Sequence, residues 1–208
     1  MSAAKKPPTL THDSLNHSIA EYAQSLGAST DGITTSCCAG DGAPMMLVGY
    51  SHLAGEARPF DDPSRMPLIN ALQTLNIKPN LVFITDLVKY PIDPARLVPS
   101  AINRWVDFLF DQIAIAQPRA VVLLGLETAV AVLRSAKTDI DDFRYRRYVW
   151  PQRTKASFFV THPPGDLHGS LMSVTQLNMH NDIKAVAEAD ELYYDRLVPV
   201  VGFAKPQE

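Results

Sequence analysis

Cysteine is almost missing from this chain: its 208 residues include two, Cys37 and Cys38, side by side. Adjacent thiols cannot build a disulfide framework or hold a metal unaided. No run of roughly 18 apolar residues occurs, which excludes a transmembrane helix. Met1-Ser2-Ala3-Ala4-Lys5-Lys6-Pro7-Pro8 has no apolar core segment. It is therefore not read as a signal peptide, and the expected location is cytoplasmic. Charge of either sign is not in excess, with a formal net of −3, so any nucleic-acid role needs a local basic patch. Repeats and low-complexity blocks are absent. What is present is 46% hydrophobic and 20% charged residues, the balance of a globular protein rather than a disordered one. The length fits one domain of about 100–200 residues. The expectation is a flexible tail over residues 1–10 and a single domain over 11–208.

Thr11 to Ser14 offer N-cap chemistry, and Leu15, Ile19, Tyr22 and Leu26 share one helical face. Residues 45–50, 81–86 and 120–125 are short apolar runs that read as buried strands. Helices are expected over 67–75, 101–116, 126–135 and 176–192. Pro91, Pro94 and Pro99 are expected to prevent regular structure until Ser100 caps the third of these. Residues 144–150 and 156–161 read as further extended segments, and 198 onward as a tail. Strands alternating with helices predict an α/β fold, a three-layer α/β/α sandwich around a mostly parallel four-stranded sheet. Tyr50, Asp86, Gly125 and His162 follow strand ends. Open parallel sheets bind ligands there.

Four segments carry a resemblance. Leu47-Val48-Gly49-Tyr50-Ser51-His52 precedes Arg58-Pro59-Phe60. Phe83-Ile84-Thr85-Asp86-Leu87-Val88-Lys89-Tyr90-Pro91 follows, then Pro118-Arg119-Ala120-Val121-Val122-Leu123-Leu124-Gly125, then Thr161-His162-Pro163-Pro164. In order and spacing this resembles the uracil-DNA glycosylase superfamily, most nearly its family 4. That resemblance implies a DNA partner with a flipped nucleotide and hydrolysis of an N-glycosidic bond. Family 4 carries an iron–sulfur cluster on four cysteines. With only Cys37 and Cys38, no cluster and no other cofactor or metal is expected here.

The resemblance assigns roles residue by residue. Phe60 would stack on the flipped base, worth roughly 1–3 kcal/mol; core packing after a turn is the plainer alternative. His162 would donate to the carbonyl oxygen of the departing base, where negative charge develops; it could instead cap a strand end. Tyr50 stands where the family has Glu, with Ser51 beside it in the base-binding loop. The water-orienting acid would then come from Asp61, Asp62 or His52; a related branch lacking the first-loop acid uses an aspartate just past the same aromatic. The two aspartates would equally cap a helix opening at Pro63.

Asp86 is the most informative departure, since the family has Asn there. An Asn amide both donates and accepts, whereas an ionised Asp only accepts. Asp cannot donate to uracil's carbonyl but can accept from cytosine's exocyclic amine. The expected substrate is thus a cytosine, and one that is modified, because excising ordinary cytosine would destroy the host genome. Bulky 5-substituents in phage DNA would suit that demand and an antiviral role. Capping the strand end, pairing with Lys89, or a protonated Asp that still reads uracil are the alternatives.

Residues 144–155 form the one dense basic stretch, interleaved with aromatics. Arg144, Arg146, Arg147, Arg153 and Lys155 suit phosphate contact and stacking; a solvated hairpin face is the other reading. Leu167 would wedge into the gap left by the flipped nucleotide or start a core helix. The Gly125 turn offers backbone N–H groups to a phosphate. With no lysine evident in a pocket motif, a monofunctional and monomeric enzyme is expected. A catalytically inactive glycosylase fold that binds modified DNA or a protein, and an ordinary uracil-repair enzyme, are the competing functions.

Overall fold

The computed structural model describes residues 11–29, 33, 42–51, 66–78, 81–92, 98–164, 174–188 and 197–199. Among the described residues, six strands form one sheet: β1 (Met45–Gly49), β2 (Val82–Asp86), β3 (Ala120–Leu124), β4 (Arg147–Val149), β5 (Ser157–Thr161) and β6 (Leu197–Pro199). Their order is β2-β1-β3-β5-β4-β6. The first four are mutually parallel, β4 runs antiparallel to β5, and β6 pairs parallel with β4. The expected four parallel strands are therefore one side of a wider sheet, which β4 and β6 extend beyond β5. β4 lies within the extended segment expected over 144–150, whereas β6 stands where a tail was expected from 198 onward, its three residues ending on Pro199 too short for any period.

Among the described residues, five α-helices cover the sheet: α1 (His12–Ser25), α2 (Met66–Thr74), α3 (Pro99–Ala116), α4 (Leu126–Leu133) and α5 (Val174–Glu188). Strand residues alternate between two cores. Met46, Val48, Phe83, Val121, Leu123, Phe158 and Val160 pack with α1, α3 and α4. Met45, Leu47, Val82, Ile84, Val122, Leu124 and Phe159 pack with α2 and α5. A strand buried on both faces needs apolar residues at every position, which is why these runs show no polar alternation. No described helix is long and apolar enough to cross a membrane.

Helix starts follow local chemistry. Thr11 and Ser14 form a reciprocal capping box on α1. α3 departs from expectation: Val98 is its N-cap and Pro99 lies inside the first turn. The first helical N–H has no intrahelical partner, so proline's missing donor costs nothing there and its fixed φ suits the turn. A proline expected to delay the helix starts it.

Candidate functional site at the strand ends

The chain leaves β1 for β2 on one side and later adds β3 on the other. The resulting switch point is where doubly wound sheets open a crevice. Backbone bonds beyond the strands tie the four expected segments into two pairs. Leu87 N–H donates to Gly49 O and Val88 N–H to Tyr50 O, both at 2.8 Å. Ser51 Oγ donates to Ile92 O at 3.3 Å. Gly125 N–H donates to Thr161 O at 2.9 Å, so that donor is not available to a phosphate. Gly125 adopts φ 96°, ψ 162°, a region open essentially to glycine alone. Its missing Cβ would lie 3.4 Å from Pro163 Cβ and 3.6 Å from Glu127 Oε2. The β3–α4 turn thus lies against the segment that carries His162.

Asp86 ends β2 opposite Gly49 and is fully buried. Lys89, one turn on, is also fully buried. Its Nζ donates to Thr85 Oγ1 at 2.5 Å, to Gln112 Oε1 at 2.7 Å and to the main-chain carbonyl of Asp86. Burial pulls the ammonium down to about pKa 7, against the opposing pull of the Asp86 charge. Lys89 therefore meets Asp86 through the main chain and through its field. Gln112 is the surprise on α3: it occupies a position on the apolar face because it accepts from this lysine. Tyr50 is half-buried, and burial, then Glu127 and Tyr90, push its hydroxyl pKa upward. It remains a neutral phenol at pH 7.

His162 is 15% exposed, and its Nε2 lies 3.9 Å from Asp141 Oδ1. Asp141 belongs to the short 3₁₀ turn Ile140–Asp142 and accepts from Arg144 Nη1 at 3.0 Å. Arg144 is 4% exposed and grips Asp182 of α5 through Nε at 2.9 Å and Nη2 at 3.3 Å. Asp182 also accepts from Thr161 Oγ1 at 2.7 Å. Burial alone would lower the Arg144 pKa, but the Asp182 and Asp141 bonds outweigh it and the net shift is upward.

The basic stretch divides. Arg144 is buried and committed to carboxylates. Tyr148 and Trp150 are core residues, Trp150 meeting Phe110 edge-on at 4.8 Å; Tyr145, 46% exposed, carries the Arg144 guanidinium 4.6 Å from its ring centroid. Arg147 donates to Ser157 Oγ at 2.8 Å. Arg146 is half-buried just ahead of β4. Val149 pairs with Ser157, the first residue of β5, so Arg153 and Lys155 lie in the turn at the opposite end of β5 from His162. Arg153 pairs there with Asp107 at 2.9 Å. The structure brings Tyr50, Ser51, Asp86 and His162 to one end of the sheet. His52, Phe60, Asp61, Asp62 and Leu167 lie outside the described residues, as do Cys37 and Cys38. Sequence reasoning missed Glu127, Asp141 and Asp182, which lie on no recognised motif; only the fold brings them close.

The sequence model of the uracil DNA glycosylase superfamily matches residues 39–175, a span that takes in all four strand ends. The chain belongs to the uracil-DNA glycosylase superfamily. Within it, the chain is similar to a type-4 uracil-DNA glycosylase of Pyrobaculum aerophilum, 33% identical over 94 residues. That match covers 43% of this chain and 47% of the relative, so the chain spans about half the length of the curated relative it matches. The iron–sulfur cluster that a family 4 resemblance implies does not fit this superfamily member. Four thiolates are needed, the chain has two adjacent ones, and no group of three or more metal-ligating side chains occurs among the described residues.

Proposed function

We propose that the protein is a monofunctional DNA glycosylase that hydrolyses the N-glycosidic bond of a flipped, modified cytosine. The observation that carries this reading is the convergence of Asp86 and His162 at the same end of one parallel sheet, within a chain of this superfamily. Asp86 is enclosed, so a base that reaches it must have left the duplex stack. An ionised carboxylate at that point accepts from a 4-amino group and offers nothing to uracil's 4-carbonyl. As the C1′–N bond breaks, its electron pair leaves with the base and the sugar becomes oxocarbenium-like. His162 donates to the carbonyl oxygen of the departing base, and water adds to C1′ while its proton passes through solvent to the base anion. Asp61, Asp62 and His52 are the candidates to orient that water.

Two further features support the details. Tyr50 is a neutral phenol where a family 4 enzyme has its acid, so the water-orienting group comes from elsewhere. Lys89 donates to three acceptors and is fully buried, which leaves it no access to C1′ for a Schiff base and supports hydrolysis without strand cleavage. Demand for a 5-substituent would spare the host's cytosine and fit a role against viruses with modified DNA.

The test is an alkaline-cleavage assay on oligonucleotides carrying uracil, cytosine, 5-hydroxymethylcytosine or its glucosylated form. Wild type is expected to release the modified cytosines fastest. Asp86→Asn exchanges one acceptor for a donor in a near-isosteric side chain. It is expected to move the uracil-to-cytosine rate ratio toward uracil by about 10-fold or more, since an unpaired buried polar group costs about 1–3 kcal/mol. Wild-type preference for uracil, or an unchanged ratio in the variant, removes Asp86 as the base reader. DNA binding without turnover on every substrate would favour the inactive-fold reading.

A further inference from the structure

We propose that Asp141 is a positioning residue for His162, setting the charge on its imidazole from a clamp centred on Arg144. The inference rests on the role of His162 in the proposed glycosylase, but its geometry stands apart from that role. One carboxylate faces the imidazole, and a guanidinium and two further carboxylates lie against that carboxylate or against the residues beside His162. Asp141, from the 3₁₀ turn, lies 3.9 Å from Nε2. Arg144, ahead of β4, binds Asp141 at 3.0 Å. Asp182, from α5, holds Arg144 by two bonds and accepts from Thr161, the residue before His162. Glu127, in the first turn of α4, approaches Gly125 beside Pro163.

The clamp grips His162 twice. Through Thr161 it fixes the main chain that carries the imidazole. Through Asp141 it sets a carboxylate opposite the ring. At 3.9 Å this contact is too long for a hydrogen bond, so it transmits charge more than direction. Asp141 and Asp182 set two negative charges against one guanidinium. A net negative neighbour favours the imidazolium, the form with both ring nitrogens as donors and the better stabiliser of an anionic leaving base. Arg144 and Asp182 are 3% and 4% exposed in their side chains, whereas Asp141 is 65% exposed. The buried pair is the fixed part, and Asp141 is the part that can be altered without disturbing the core.

The experiment is an NMR titration of the full-length protein with labelled histidine, the His162 signal assigned by its loss in His162→Gln. In Asp141→Asn the His162 midpoint is expected to fall by about half to one pH unit, the size of a partly solvated charge contact. Asp142→Asn makes the same charge change one residue away and is expected to leave the midpoint within about 0.2 unit. An unmoved midpoint in Asp141→Asn, or an equal shift in Asp142→Asn, overturns the inference. Single-turnover excision measured across pH on the same variants separates the two readings. A shifted midpoint with no turnover on any DNA substrate refutes the glycosylase and leaves the clamp. Turnover with an unshifted midpoint refutes the clamp and leaves the glycosylase.

Discussion

Two residues at the strand ends differ in what their removal should do. His162 is partly exposed and on the proposed reading acts on charge that appears only as the base departs. His162→Ala is therefore expected to lower the single-turnover rate by about 100- to 1,000-fold while DNA affinity stays within about threefold. A near-wild-type rate would remove His162 from the chemistry. Lys89 is buried, and its effect belongs to stability. Its folded pKa of about 7 lies below the 10.5 of a free lysine. Below pH 7 both states hold the proton and the buried charge weighs on the fold. Between about 7 and 10.5 the unfolded chain holds a proton that the folded chain has released, so stability rises with pH. From pH 7 to 9.5 that rise is on the order of 1–3 kcal/mol, and Lys89→Met is expected to flatten it. Urea midpoints at the two pH values check the slope, which is independent of whatever the substitution costs at pH 7.

At the scale of elements, turns rather than strands limit the site. Gly125 holds a backbone conformation that other residues reach only at about 1–3 kcal/mol. A Cβ there would meet Pro163 at ordinary contact distance, so the backbone carries the cost. Gly125→Ala is expected to lower the melting temperature by about 2–10 °C. It should also slow excision, because the turn is bonded to Thr161. Unchanged melting and activity would mean that the turn relaxes freely. The four buried strands and five helices were legible because apolar runs and helical periods are local signals. Gln112 on the apolar face of α3 carries no local reason for its place, since that reason is Lys89, on the turn after β2. Arg144 read as a surface cation because a basic stretch carries no mark of the carboxylate on α5 that buries it. The candidate site was legible at Tyr50, Asp86, Gly125 and His162, each fixed by a strand end. It was illegible at Asp141 and Asp182, whose relevance exists only after folding.

For the whole molecule the decisive property is the polarity of the sheet. The four parallel strands β2, β1, β3 and β5 point their carboxyl ends one way, and His162 follows one of those ends. β4 reverses direction against β5, so the basic stretch starts near the site and finishes about 15 Å away, the length of a five-residue strand. DNA engaged at His162 meets the start of that stretch before its end. Arg146 is the half-buried cation on the near side of β4, whereas Lys155 sits exposed in the far turn and Arg153 is paired with Asp107. Neutralising a phosphate contact weakens binding and lowers the salt slope by about one. Arg146→Ala is therefore expected to weaken DNA binding severalfold and flatten log Kd against log salt by about one unit, and Lys155→Ala to change neither beyond about twofold. Fluorescence anisotropy over a salt series measures both. Equal losses in the two variants would mean that DNA runs along the full length of β4 and β5, past the far turn, and that the strand ends are not its sole seat.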